Sequence, residues 1–154
     1  MLSQTVEYAL RAMVCLAQAP DQLTPTPALA SKTKVPPNYL AKVLQVLAQA
    51  ELIHGRRGVG GGYKLTRPSD QITMLDVVNA IDTLRPITTC PLEISEHGTS
   101  LCALHRRIDQ AIRMLIEQFE GVTLHDLISE ANPSAPLCET NPRVQLGVSG
   151  VKKG

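Results

Sequence analysis

Two cysteines and a histidine lie close together in the second half of the chain. Cys90 and Cys102 are separated by eleven residues, and His105 follows Cys102 at a spacing of three. Thiolates and imidazoles are ligands for zinc, iron and copper, and thiols also undergo reversible oxidation. In a reducing environment, this grouping indicates metal or redox chemistry rather than a disulfide.

The start of the sequence predicts such an environment. It lacks the basic segment, apolar stretch and small-residue cleavage site of a secretory signal, so we expect a cytoplasmic protein with few disulfides. Cys15 shares an apolar helical stripe with Ala12 and Leu16 and is expected in the core. Cys138 lies in a proline-rich segment and is expected to have no role.

A second candidate site is a glycine-rich segment that contains two adjacent arginines. Arg56 and Arg57 stand among the glycines of residues 55–62. Such a segment lets the backbone approach DNA closely while an arginine enters the minor groove. The alternative, a phosphate-binding enzyme loop, fits poorly because neither the dinucleotide-binding pattern nor the P-loop pattern is present. No nucleophile–base pair or carboxylate pair accompanies a pocket-forming loop, so we predict that the protein is not an enzyme.

The surrounding elements predict how these arginines are placed. Hydrophobic periodicity predicts helices at Ser3–Ala19, Thr26–Thr33 and Tyr39–Glu51, and short strands at Leu52–His54 and Tyr63–Thr66. Three helices followed by a hairpin predict a winged helix-turn-helix domain over residues 1–70. In that fold the second helix of the motif enters the major groove of DNA. Its exposed side chains suited to bases and phosphates are Asn38, Tyr39, Lys42 and Gln45.

The second half is predicted to be helical, with one long loop. A Thr73-x-x-Asp76 capping box starts a helix that ends near Asp82, and the loop from Leu84 to Leu101 carries the cysteines. A long helix follows to Phe119, and Thr123 caps a short last helix. Residues 71–131 thus form a sensor loop with dimerisation helices, and the composition of residues 132–154 predicts a disordered tail. The predicted fold is mainly α with a small β-hairpin.

One face of the long helix predicts a homodimer. Its apolar residues recur at helical spacing, and a domain of this size would leave many of them uncovered. They are Leu101, Leu104, Ile108, Ala111, Leu115 and Phe119. Charged residues are expected to cover the rest of the helix: Arg106, Arg107, Asp109, Arg113 and Glu117.

The charge of the chain is distributed unevenly. The whole sequence has a net charge of +1, which does not by itself suggest a nucleic-acid partner. Residues 1–70 hold eight Lys or Arg and four Asp or Glu, a net charge of +4, whereas residues 71–154 hold seven and ten, a net charge of −3. The predicted DNA-binding domain is therefore the basic half. With 44% hydrophobic and 19% charged residues, the chain as a whole is not disordered, and no apolar stretch is long enough to span a membrane.

Several of these segments together resemble the IscR/NsrR family of bacterial transcription regulators. The similar segments are Tyr8-Ala9-Leu10-Arg11, Tyr39-Leu40-x-x-Val43-Leu44-x-x-Leu47, Leu52-Ile53, Arg57-Gly58-x-Gly60-Gly61-Gly62-Tyr63 with Leu65, and Val77-Val78-x-Ala80-Ile81-Asp82. The resemblance covers residues 1 to about 130. It implies a homodimer, most simply a repressor, in which each winged domain binds half of a palindromic operator in double-stranded DNA. Gly60 and Tyr63 join the arginines as expected DNA-binding residues.

The resemblance also implies an iron–sulfur cluster, because many members hold one on three cysteines before the long helix. Cys90, Cys102 and His105 match that pattern, but the middle cysteine is replaced at or beside Glu96, with His97 next to it. Some members add an acidic residue from the partner's first helix, a position that Glu7 occupies here. The implied ligands are Cys90, Cys102, Glu7 and one of His105, His97 or Glu96, which favours [2Fe–2S] over [4Fe–4S].

Four alternatives stay open. The loop could bind zinc, which accepts mixed Cys, His and Glu ligands. It could also act as a metal-free sensor of thiol oxidation or of a small molecule, or have no sensory role. Finally, the winged domain could bind another protein instead of DNA.

Overall fold

The computed structural model describes residues 2–94 and 100–130, and it has the predicted architecture. Each predicted helix and strand is present, with boundaries that differ by a few residues. The helices are α1 (Gln4–Ala17), α2 (Thr26–Thr33), α3 (Pro37–Gln49), α4 (Met74–Ile81), α5 (Ala103–Glu120) and α6 (Leu124–Ser129), and the strands are β1 (Ile53–Arg56) and β2 (Gly62–Leu65). A 3₁₀ turn at Ser69–Gln71, which the sequence did not predict, precedes α4. The predicted tail, with Cys138, lies outside the described residues, as do Glu96 and His97.

Helix α1 is the centre of the molecule. Ser3 caps it by accepting a hydrogen bond from the Val6 N–H at 3.3 Å, and its hydroxyl donates to Asp82 at the end of α4 at 2.7 Å. Helices α2, α3, α4 and α6 and strand β2 all pack against α1. Its buried residues include Cys15, so the prediction that this cysteine belongs to the core is confirmed.

The turn between α2 and α3 sets the position of the predicted recognition helix. Lys34 ends α2 with φ 57°, in the left-handed region, and Val35 is buried just after it. Helix α3 begins at Pro37, two residues before the predicted start. Proline suits this first helical position because its missing N–H would have had no partner within the helix.

The two strands form an antiparallel hairpin that is tied to the rest of the domain. Ile53 pairs with Leu65 and Arg56 with Gly62, so β1 extends two residues beyond its predicted end. Thr24, just before α2, pairs with Tyr63 through two backbone hydrogen bonds of 2.9 Å. The hairpin is therefore attached to the domain along β2, and the residues between Arg56 and Gly62 form its tip.

Helices α4 and α6 complete the core. Thr73 and Thr123 each cap a helix in a capping box with the aspartate three residues later, and the two threonines pair with each other across a short bridge. Val77, Val78 and Leu124 are fully buried in the same cluster as the residues of α1. Among the described residues, no helix is both long and apolar enough to cross a membrane.

Helix α5 divides its apolar residues between two faces. Ile112, Ile116 and Phe119 are half-buried, whereas the neighbouring face is open to solvent in the single chain. Four side chains of that helix are exposed by 41–64%: Leu104, Ile108, Met114 and Leu115. The predicted single apolar stripe is thus partly used within the chain and partly exposed.

Candidate nucleic-acid interface and sensor site

The outer face of α3 carries all four of its predicted DNA-binding side chains. Asn38, Tyr39, Lys42 and Gln45 are exposed, and they follow one another at helical spacing. The opposite face is buried in the core through Leu40, Val43, Leu44 and Leu47. The helix is therefore fixed by its apolar side while its polar side is presented to solvent, as an interface with the major groove requires.

Tyr39 is held in place by α1. Its ring packs edge-on against the ring of Tyr8, with 6.4 Å between centroids and 63° between planes, although the residue is 61% exposed. The guanidinium of Arg11 lies over the Tyr8 ring at 5.7 Å from the centroid. The first turn of α3 is thus linked through two aromatic contacts to a charged residue on α1.

The hairpin tip is a preformed loop that only glycine allows. Gly58 and Gly60 have φ values of 92° and 71°, which other residues rarely adopt. A Cβ on Gly61 would lie 2.2 Å from the Arg56 carbonyl oxygen. The Arg56 guanidinium also donates to the Gly60 carbonyl at 3.1 Å across the tip. Arg56 therefore stabilises the loop itself, a role that the sequence did not predict.

Arg57 is the other cation of the tip. It is exposed, and it makes no hydrogen bond or ion pair with any residue that the structure describes. An open groove of about 510 Å³ lies between the hairpin and the start of α2. Both arginines line this groove, together with Pro25, Thr26, Ala48 and Tyr63.

Tyr63 and the glycine before it attach the wing to the domain. Gly62 has φ 146°, and a Cβ there would lie 2.5 Å from the Thr24 backbone. The Tyr63 ring covers Gly55, whose added Cβ would lie 2.8 Å from Cε1 of the ring. Tyr63 is half-buried as a result, and its expected contact with DNA remains a prediction.

In the second half, the structure brings together two of the predicted ligands. Cys102 is the N-cap of α5, and its Sγ lies 3.2 Å from Nδ1 of His105, the third helical residue. Their donor atoms, one sulfur and one imidazole nitrogen, suit iron, zinc or a cluster iron. Cys102 is partly exposed, so a group could reach this pair from solvent.

The other predicted ligands are not assembled at this pair within one chain. Cys90 is buried in the loop before α5, where its carbonyl accepts from the Glu93 N–H at 3.0 Å. Among residues 2–94 and 100–130, no three His, Cys, Asp or Glu residues are placed to hold one metal ion. The residues present therefore supply part of a site, and Glu96 and His97 lie outside the described part of the chain.

Glu7 faces solvent on α1 and is paired with Arg11 one turn later. Its side chain is 55% exposed, so it is accessible to a second copy of the chain. Arg11 also donates to the Thr33 carbonyl at the end of α2, at 3.4 Å. Glu7 would have to leave Arg11 in order to bind elsewhere.

Asp109 is a buried carboxylate that the sequence assigned to the surface. That prediction was wrong: Asp109 is 9% exposed, and it joins α5 to the loop. One carboxylate oxygen accepts from the Ile87 N–H at 2.8 Å, and the other accepts from Nε of Arg113 at 2.7 Å. The i,i+4 spacing signalled the contact with Arg113. No sequence pattern pointed to Ile87, which is 22 residues away in the chain.

The environment of Asp109 predicts how stability depends on pH. The hydrogen bond from Arg113 chiefly holds the pKa of Asp109 below its ordinary value of 3.8; the Ile87 N–H contributes, and burial opposes. A carboxylate whose pKa is lowered by folding stabilises the folded state at pH values above its ordinary pKa. This stabilisation is lost as the pH falls through the folded-state pKa. We expect Asp109→Asn to lower the free energy of unfolding near pH 6, and the difference from wild type to shrink below about pH 4.

Urea unfolding at a series of pH values measures this difference. Glu117→Gln, an exposed site on the same helix, is the control and should show almost no difference at any pH. A stability difference for Asp109→Asn that grows as pH falls would contradict the assignment.

The fold and these surfaces define a class of protein. A helix-turn-helix with an exposed polar recognition face and a basic glycine wing belongs to the winged-helix DNA-binding proteins. Residues 2–130 match the Rrf2 family, described as iron-dependent transcriptional regulators, and the chain belongs to that family. It is a DNA-binding transcription regulator and not an enzyme, as predicted.

Individual relatives agree with this assignment. A protein of Aquifex aeolicus (strain VF5), named as an HTH-type transcriptional regulator, is 30% identical over 132 aligned positions, and the match covers 84% of this chain and 92% of that protein. The structure of CymR, the global cysteine regulator of B. subtilis, is similar with a TM-score of 0.67 and 26% identity, over 86% of this chain and 98% of that one. The structure of T. potens IscR has a TM-score of 0.71 and 19% identity, over 97% and 93% of the two chains, and shows the same fold.

Proposed function

We propose that the protein is a homodimeric repressor that binds a palindromic operator and senses a redox, nitric oxide or iron signal at Cys90 and Cys102. The observation that carries the DNA-binding part is the arrangement of two surfaces. Asn38, Lys42 and Gln45 lie on the exposed face of α3, whose opposite face is buried in the core. Arg57 is exposed on the preformed tip of the hairpin. Helix α3 reads base edges in the major groove, and the wing contacts the adjacent minor groove or phosphates.

The exposed face of α5 supports the dimer. An 18-residue helix that leaves four large apolar side chains at 41–64% exposure needs a partner to cover them. A second copy of the same helix covers them symmetrically. Two winged domains then bind two half-sites, which explains why a palindrome is the expected operator.

Cys102 and His105 support the sensor part, and Cys90 supplies a second thiolate from the same chain. Glu7 of the partner subunit is the proposed additional ligand, because it is exposed on α1 and its ion pair is with Arg11 of the same helix. An iron–sulfur cluster, [2Fe–2S] in preference to [4Fe–4S], supplies sensitivity to oxidants, nitric oxide and iron supply when bound.

The contacts of Arg11 suggest how the signal reaches DNA. When Glu7 leaves Arg11 for the site of the other subunit, Arg11 loses one of the contacts that hold it against the Thr33 carbonyl and the Tyr8 ring. Tyr8 packs against Tyr39 in the first turn of α3. A change in this pairing shifts the population between a DNA-binding arrangement of α3 and a weaker one.

A metal-free, thiol-responsive regulator is the second candidate. The 3.2 Å contact between Cys102 and His105 favours it, because a partly exposed thiol next to an imidazole is accessible to an oxidant from solvent. The same residues would then respond by oxidation without a cofactor.

The wing offers the sharpest test of DNA binding. We expect Arg57→Ala to weaken binding to the chain's own upstream DNA about tenfold and to reduce the slope of log affinity against log salt by about one, because one cation leaves the phosphate surface. Arg56→Ala is the matched comparison. It removes the hydrogen bond from Arg56 to the Gly60 carbonyl, which stabilises the tip. The affinity for DNA should therefore fall, with little change in the slope of log affinity against log salt. Fluorescence anisotropy at four salt concentrations gives both quantities, and an unchanged slope for Arg57→Ala would count against its contact with DNA.

A further inference from the structure

The loop that carries Cys90 is attached to the helix that follows Cys102 by a hydrogen bond to Asp109. Ile87, three residues before Cys90, donates its N–H to Asp109 at 2.8 Å. Asp109 lies on α5 one turn beyond His105, and its other oxygen accepts from Arg113 at 2.7 Å. The Asp109 side chain is 13% exposed and both of its oxygens accept a hydrogen bond, so losing either partner leaves a nearly buried charge less well compensated.

Cys90 is buried outside the main hydrophobic core. It is 7% exposed, yet it is not part of the main hydrophobic core around α1. Its neighbours on either side are open, because Thr89, Pro91 and Leu92 are all exposed, Leu92 by 70%. An otherwise exposed loop thus buries one thiol close to its attachment at Ile87.

We propose that Asp109 is a positioning residue of the sensor site: its hydrogen bond to Ile87 sets the place of Cys90 relative to Cys102 and keeps the Cys90 thiol out of solvent. This inference rests on the proposed sensor function. Arg113 contributes by holding the carboxylate in the orientation that accepts from Ile87. The residue acts through the loop backbone and does not touch the bound group.

The inference predicts a selective change in thiol reactivity. The metal-free full-length protein is treated with iodoacetamide, and alkylation of each cysteine is followed by peptide mass spectrometry. In Asp109→Ala we expect the rate at Cys90 to rise at least tenfold, while the rate at Cys102 stays within twofold of wild type. Asp109→Asn, whose amide oxygen can still accept from Ile87, should restore most of the protection. Glu117→Ala, an exposed site on the same helix, should change neither rate.

Two outcomes would overturn the inference: an unchanged rate at Cys90 in folded Asp109→Ala, or an equal rise at Cys90 and Cys102. If Asp109→Ala does not fold, Ile87→Pro removes the N–H donor and leaves the pairing of Asp109 with Arg113, and the same selective rise at Cys90 is expected. Because alkylation is measured without metal or DNA, a failure of this inference can be distinguished from a failure of the proposed function. Iron content and operator binding of the wild type test that function separately.

Discussion

Ile108→Glu together with Leu115→Glu is expected to convert the protein into a monomer and to weaken operator binding by about a hundredfold or more. The two residues lie two turns apart on the exposed face of α5, and in the single chain they are 41% and 42% exposed. A carboxylate is therefore tolerated by the isolated fold. Buried between two copies of the helix, the same carboxylate loses its water and finds no counter-charge.

The loss of affinity follows from the loss of the second winged domain. A dimer that engages both half-sites binds through two linked contacts, and the second contact adds a factor of about 10² to 10⁴. A monomer keeps only one of them, while its own α3 and wing are unchanged. We expect the double variant to retain the weak, salt-dependent binding of a single domain.

Light scattering after size exclusion gives the mass, and anisotropy with a palindromic and a half-site DNA gives the affinities. Gln110→Glu is the control, because it adds a negative charge to the polar face of the same helix. It should stay dimeric and bind as wild type does. A double variant that remains dimeric would show that the exposed face of α5 is not the interface.

Elements with a strong local pattern could be predicted from the sequence. The buried positions of α3 recur at helical spacing, and Thr73 and Thr123 begin their helices with capping boxes that the structure contains. The recognition face followed from the same periodicity, because the residues that are not buried on α3 must face solvent. Local hydrogen bonding and apolar spacing decide these features within a few residues.

Features that depend on distant contacts could not be predicted. The burial of Asp109 requires the backbone of Ile87, and no periodicity relates the two. Arg56 and Arg57 are adjacent and chemically identical, yet Arg56 donates to the Gly60 carbonyl, whereas Arg57 makes no hydrogen bond or ion pair within the described part of the chain. The apolar stripe of α5 was visible, but its division into a covered and an exposed face depends on where the rest of the domain packs.

The sensor residues fall between these two cases. Cys102 and His105 are three residues apart at a helix start, so local geometry alone brings them to 3.2 Å. Cys90 reaches its place through a long loop, and Glu7, the proposed ligand from a second chain, lies on α1. The spacing of Cys102 and His105 in the sequence was therefore enough to predict their contact. Spacing alone was not enough to predict the complete set of ligands.

Cys102→Ala is expected to abolish the response of the protein to its signal. Purified without oxygen, the wild-type protein should contain iron and absorb visible light. The iron content of the variant should be at least tenfold lower than that of wild type. A cluster usually needs four ligands, and the described part of the chain offers few side chains that could replace the lost thiolate. Operator affinity of the variant should then be the same with and without oxidant or nitric oxide. Iron analysis, visible absorption and anisotropy measure the three quantities.

Cys138→Ala is the matched control, since it removes one cysteine for which the sequence predicts no role. It should keep the iron, the absorption and the response. The wild-type protein could instead be colourless and free of iron and still change its operator affinity with oxidant through Cys102. That result would contradict the cluster and support the metal-free thiol switch. If Cys102→Ala kept both its iron and its response, the helix start at Cys102 and His105 would not be the sensor, because no arrangement of the proposed ligands omits that sulfur.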